Sequence, residues 1–120
     1  MAFVKFTRTR ARIGTPRVSV WSRGQIGFNQ GAVDEFGINK FQYAVLYYDD
    51  ETNRIGIEFT TDGDAKGACK LAFRKNSGVS ISAVAFLKIF KIDYSKTRKF
   101  DLRHDDESGY YIVDLNNPLE

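Results

Sequence analysis

The sequence predicts a β-rich α+β fold: an internal duplication of one β-β-α-β-β unit, packed as a pseudo-twofold dimer within a single chain. Three observations lead there. Apolar residues alternate in short runs, as half-buried strands require. The runs recur in the same order in both halves, 53 residues apart up to the helix and 56 at the closing turn, with three residues inserted around Ile92 to Ser95. Each half also closes on the same acidic turn, Asp49-Asp50-Glu51 in one and Asp105-Asp106-Glu107 in the other. The expected plan is a single domain over 1–120: a basic N-terminal arm at 1–16, repeat one at 17–59, a linker at 60–67 and repeat two at 70–115.

Each element has a local reason. Val18 and Val20 alternate with polar neighbours, and Leu71 and Phe73 do the same in the second half. Asn29 and Ser82 are suited to cap helices, because a short side-chain oxygen accepts an orphan backbone N–H. The first helix spans about two turns, with Val33 and Phe36 on one side, and Gly37 stands where a left-handed C-cap is wanted. The second helix is expected to be longer, with Phe86, Leu87 and Phe90 as its inward stripe. The acidic turns join the last two strands of each half as hairpins. Residues 60–67 have no apolar periodicity and read as the connection between halves.

Composition supports a packed core, since 42% of the 120 residues are hydrophobic and ten are Phe. A chain of this length buries roughly two-thirds of its unfolded surface. One cysteine, Cys69, and one histidine, His104, form no metal-ligand motif, so neither a metal nor another cofactor is expected. No apolar run approaches the roughly 18 residues of a membrane span, and no signal-peptide stretch follows Met1. A soluble, cytoplasmic protein without membrane contact is the expectation.

Charge is the feature that speaks to function. The first 24 residues carry six cations (Lys5, Arg8, Arg10, Arg12, Arg17, Arg23) and no acid, whereas all fifteen acids lie from Asp34 onward, against twelve cations. A basic arm on a near-neutral body suits a polyanionic partner. In an extended arm Arg8, Arg10 and Arg12 point the same way and can follow a phosphate backbone. Alternation groups Arg17, Ser19, Trp21 and Arg23 on the outer side of the first strand, opposite Val18 and Val20. Lys70 and Arg74 hold the matching outer side in the second half. Guanidinium groups bind phosphates and an indole stacks on a base, so Lys5, Arg8, Arg10, Arg12, Arg17, Trp21, Arg23, Lys70 and Arg74 form the candidate nucleic-acid-binding set.

The stretch Val18-Ser-Val-Trp-Ser-Arg-Gly-Gln-Ile-Gly-Phe28, followed by Ala32-Val-Asp-Glu-Phe-Gly-Ile38, resembles the AbrB/SpoVT family over about residues 17–59, with a fainter echo in 70–115. The resemblance implies a swapped-hairpin barrel and a DNA-binding transcription regulator, with Arg17 and Arg23 at the family's basic hairpin positions. The second half departs from the motif, with Lys75-Asn76-Ser77-Gly78 in place of Ser22-Arg23-Gly24-Gln25. The Gly-Asp pair ahead of the family's third strand is also missing, Asn39-Lys40-Phe41-Gln42-Tyr43 standing there. A second likeness is architectural. Four strands lie between the two helices, so the chain looks like a permuted Whirly-type unit, and that likeness implies single-stranded DNA or RNA binding.

The expected function is therefore nucleic-acid binding, with DNA favoured, and homo-oligomers are compatible with it. The alternatives are a Whirly-like single-strand binder and a protein-interaction or assembly module that binds no nucleic acid. An enzyme is not expected, because no nucleophile–base motif is visible. Tyr47, Tyr48, Tyr110 and Tyr111 are read as cross-strand packing partners, one of each pair facing outward. The basic run Lys88, Lys91, Lys96, Arg98, Lys99 and Arg103 is read as a solvated face, diluted by Asp93, Asp101 and Asp105.

Overall fold

Strand alternation settles the first element of the computed structural model, which describes residues 15–74 and 78–119. In β1 (Arg17–Val20) both valines are buried and Arg17 is exposed. The turn Trp21–Gly24, closed by Gly24 N–H donating to Trp21 C=O at 2.9 Å, returns the chain as β2 (Gln25–Phe28). Helix α1 (Gln30–Phe36) then starts at Asn29, whose Oδ1 accepts the N–H of Ala32 at 2.8 Å. It stops at Gly37 in the left-handed region, φ 66°, where a glycine avoids the Cβ clash. A 3-10 turn, Ile38–Lys40, leads into the hairpin β3 (Tyr43–Asp49) and β4 (Arg54–Thr60).

The second half runs β5 (Ala68–Lys70), β6 (Ala72–Arg74), β7 (Gly78–Ser82), α2 (Val84–Ile89), β8 (Arg98–Asp101), β9 (Arg103–His104) and β10 (Tyr111–Asp114). All described pairings are antiparallel and fall in two five-stranded sheets. The first has the order β6-β7-β2-β1-β8 and the second β5-β3-β4-β10-β9. Two segments serve both sheets. Residues 68–74 pass from the second sheet to the first at Leu71, and residues 98–104 pass the opposite way at Leu102. Both leucines are 4% exposed, so each corner is pinned by a buried side chain. Corner strands of this kind leave fewer free edges.

The core lies between the sheets. Val18, Val20, Ile26, Phe28, Val79, Ile81 and Phe100 face Ile55, Ile57, Phe59 and Val113. Phe28 meets Phe59 edge-on across the sandwich, ring centroids 5.4 Å apart. Burying one such ring contributes about 1.5–3 kcal/mol. Helix α1 closes one end, with Phe36 against Tyr111, and the segment after α2 closes the other, with Phe90 against Tyr48.

Three sequence expectations are corrected. Helix α2 has six residues against seven in α1, so it is the shorter one. Ser82 is not its cap, because it remains paired with Gln25 at the end of β7. Ala83 takes that place, and its N–H is satisfied by Gly24 C=O at 2.9 Å rather than by a side chain. The inward stripe holds for Leu87, fully buried, and for Phe86, which packs against the core. Phe86 is half-buried and Phe90, already past the helix end, is 43% exposed.

Candidate nucleic-acid interface

Facing residues of an antiparallel ladder project from the same side of the sheet. That rule assigns the outer surface of the first sheet, because Val18, Ile26 and Phe100 mark its inner one. Across the middle of the outer side run Lys99, Ser19, Gly27, Ser80 and Ala72, each opposite the next. The neighbouring row holds Asp101 and Arg17 at one side, and Gly78 and Arg74 at the other. The result is a centre of small residues, with Gly27 covered by the Trp21 ring and Ser80 buried, flanked by cations at both margins and one acid.

Arg17 is half-exposed and its Nε lies 4.0 Å from an Asp101 carboxylate oxygen. At that distance and exposure the pair adds little stability, so the guanidinium remains available. Arg23 is exposed in the β1–β2 turn. Trp21 is half-buried, with its six-membered ring lying on Gly27, where any Cβ would collide with it. Its main task is thus to fill the surface above a glycine, and one part of the ring stays accessible. Beside it, Gln25 turns outward and its Oε1 is buried with no hydrogen-bond partner among the described residues. Such a group carries a desolvation cost.

The structure does not bring the whole sequence-predicted set together. Lys5, Arg8, Arg10 and Arg12 lie outside the described residues. Lys70 and Arg74 were expected to share one outer face. Instead Lys70 is in β5, opposite Tyr43 in the second sheet, and Arg74 is in β6 of the first. The cause is the corner at Leu71, which moves the strand from one sheet to the other. Lys99 is the residue that sequence reasoning missed. The sequence places it in a solvated basic run, and only its pairing opposite Ser19 joins it to Arg17.

The second sheet has a different outer chemistry. Arg54, Lys70 and Arg103 are matched there by Asp49, Glu58 and Asp114. Tyr47 and Tyr110 stack over Gly56 with centroids 4.6 Å apart, while Tyr48 and Tyr111 turn inward onto the core. The Tyr47 hydroxyl donates to Glu58 Oε1 at 2.9 Å. That bond, followed by burial, pushes its pKa up to about 12. At the hairpin tips the Asp49 and Asp105 carboxyls are held below the usual range, chiefly by hydrogen bonds from Thr52 and Ser108. Both acids are therefore spent on turn geometry. Burial pushes the Cys69 thiol up.

Among the described residues no cluster of three or more His, Cys, Asp or Glu is arranged to hold a metal ion, and no helix is long and apolar enough to cross a membrane. No protein-family model, curated protein or solved structure matches this chain.

Proposed function

We propose that the chain is a nucleic-acid-binding protein of AbrB-like type, a DNA-binding transcription regulator in which one chain imitates a homodimer. The observation that carries the reading is the asymmetry of charge between the two outer faces. Arg17, Arg74 and Lys99 face outward from the first sheet against Asp101 alone, while cations and acids balance on the second. A phosphate backbone is drawn to the first and not to the second. The arm residues Lys5, Arg8, Arg10 and Arg12 add to the same attraction.

The duplication has its own support. Exchange β1 with β5–β6, β2 with β7, β3 with β8–β9, and β4 with β10. Each of the eight described strand pairings then maps onto another or onto itself. The equivalent strands β2 and β7 pair at the middle of one sheet, and β4 and β10 pair at the middle of the other. A twofold relation between the halves would suit a duplex, whose backbone is itself twofold symmetric.

The test is fluorescence anisotropy with single- and double-stranded oligonucleotides of one sequence, at about 50 and 200 mM salt. Tighter, salt-sensitive binding to duplex is expected, with a marked loss when Arg8, Arg10 and Arg12 are replaced by Ala. Preference for single strands would favour the Whirly-like reading. Absence of binding to both at low salt would leave a protein-interaction module.

A further inference from the structure

A cavity of about 230 Å³ opens at the end of the sandwich where α2 hands the chain on to β8. Its floor is formed by Val20 and Phe100, each 2% exposed, and by half-buried Leu115. Its rim carries Lys91, Arg98, Asp93 and Asn53. Polar groups converging around a small apolar floor can hold a small molecule that carries a charged group.

The backbone singles out the same place. Among the described residues only Asn53 and Lys91 combine a side chain with positive φ, each at 56°, and both line this cavity. Asn adopts that conformation readily in turns such as this one, whereas a long side chain like Lys91 rarely holds it, and such departures gather at ligand sites. At the opposite end of the molecule the corresponding places are taken by glycines. Gly37 comes directly after α1 and Lys91 one residue past the Phe90 cap of α2, with a buried isoleucine next in each case, and Gly109 lies 56 residues beyond Asn53. Their φ values are 66° and 78°. The backbone shape alone thus requires no ammonium or amide at this rim.

The charges are arranged to leave cationic capacity unspent. Asp93 is the acid on the rim, and Ser95 engages one of its oxygens twice, through N–H at 2.9 Å and the hydroxyl at 2.7 Å. Arg98 Nη2 reaches the other oxygen only at 3.4 Å, a long contact that leaves its remaining donors free. Lys91 is exposed. Asn53 Oδ1 accepts the Tyr48 hydroxyl at 2.7 Å, and its Nδ2 donates to Asn116 at 3.1 Å, so one N–H of that amide is left over.

We propose that this cavity binds a small organic anion, an apolar body of about one ring carrying a phosphate or carboxylate. The body would rest on Tyr48 and Leu115, and the acid group would sit between Lys91 and Arg98 with the spare Asn53 N–H. The site is separate from the outer face of the first sheet and does not depend on nucleic-acid binding.

The experiment is an amide-resolved NMR titration with phenyl phosphate, compared with phenol and with inorganic phosphate. Phenyl phosphate is expected to shift Asn53, Lys91 and Ile92 saturably, and each half-probe to bind at least about tenfold more weakly. Lys91→Gly is the decisive variant, because glycine favours the left-handed backbone there and the protein will fold. It is expected to melt at a higher temperature and yet to bind phenyl phosphate at least about tenfold more weakly. Unchanged affinity in Lys91→Gly would overturn the proposal. So would phenol binding as tightly as phenyl phosphate, or no saturable shift in these residues below about 10 mM.

Discussion

The chain reverses hand after both α-helices of the described residues, on Gly37 after α1 and on Lys91 after α2, and a buried isoleucine follows each time. The backbone task is the same and the residue is not. Glycine holds φ near +60° with no Cβ penalty, while a lysine there loses about 1 kcal/mol. At Gly37 the nearest atoms to an added Cβ are 3.7 Å away, in the Lys40 side chain, so space alone does not demand glycine. The first end of the molecule is therefore set for stability. The second gives some stability up and gains an ammonium at the mouth of a cavity.

The largest effect that would sharpen this comparison is at the two hairpin glycines. Gly24 and Gly78 both sit at φ 88°, each against the start of the helix in the other half. A methyl on Gly24 would collide with the Val84 side chain, which can shift. On Gly78 it would meet the backbone carbonyl of Phe28, which the β2–β7 ladder holds in place. Urea unfolding should show Gly78→Ala losing about 3 kcal/mol or more, and Gly24→Ala about 1–2 kcal/mol. Equal losses would mean that the two turns bear the same constraint and that the halves differ less than argued.

Exchange of residues at the helix ends comes next. Lys91→Gly should stabilise the fold by about 1 kcal/mol, and Gly37→Lys should destabilise it by about as much. Thermal melts of the single variants and the double exchange measure this. If Lys91→Gly gives no gain, the left-handed lysine is held by contacts that offset its strain.

The smallest effects follow pH. Asp49, Asp93 and Asp105 are held below the usual carboxylate range by hydrogen bonds within their own turns. Their contribution is present above the ordinary value of about 3.9 and is lost as pH falls through the depressed ones. Amide NMR between about pH 5 and 2 should show the three turns loosening, and Asp105→Asn should remove the response at its own turn only. The raised Tyr47 group acts in the opposite sense. Its contribution is present below the ordinary tyrosine value of about 10 and is lost as pH rises through about 12. Absorbance titration should lose its last phenolate step in Tyr47→Phe.

Much of the fold was legible because strands and hairpins are local. Alternation at Val18 and Val20, the Asn29 cap, the Gly37 stop and the acidic turns all depend on neighbours within a few residues. The two corners were not legible. Leu71 and Leu102 look like ordinary strand residues, and only pairing with distant partners moves one strand between sheets there. Alternation alone therefore puts Lys70 with Arg74 and separates Lys99 from Arg17, whereas pairing does the reverse. The left-handed lysine was hidden for a related reason. Lys91 gives no turn signal of the kind Gly37 does, and the helix before it is stopped by the Ile92 N–H bonding back to Leu87 C=O at 2.9 Å.

The central claim, that one sheet and not the other meets nucleic acid, is tested most directly by matched charge reversal. Lys99→Glu with Arg74→Glu alters the first sheet, and Lys70→Glu with Arg103→Glu alters the second by the same net charge. All four side chains are exposed. Duplex affinity measured at about 100 mM salt should fall at least tenfold more in the first pair than in the second. Equal losses would contradict the account, because they would show that net charge rather than this face attracts the partner.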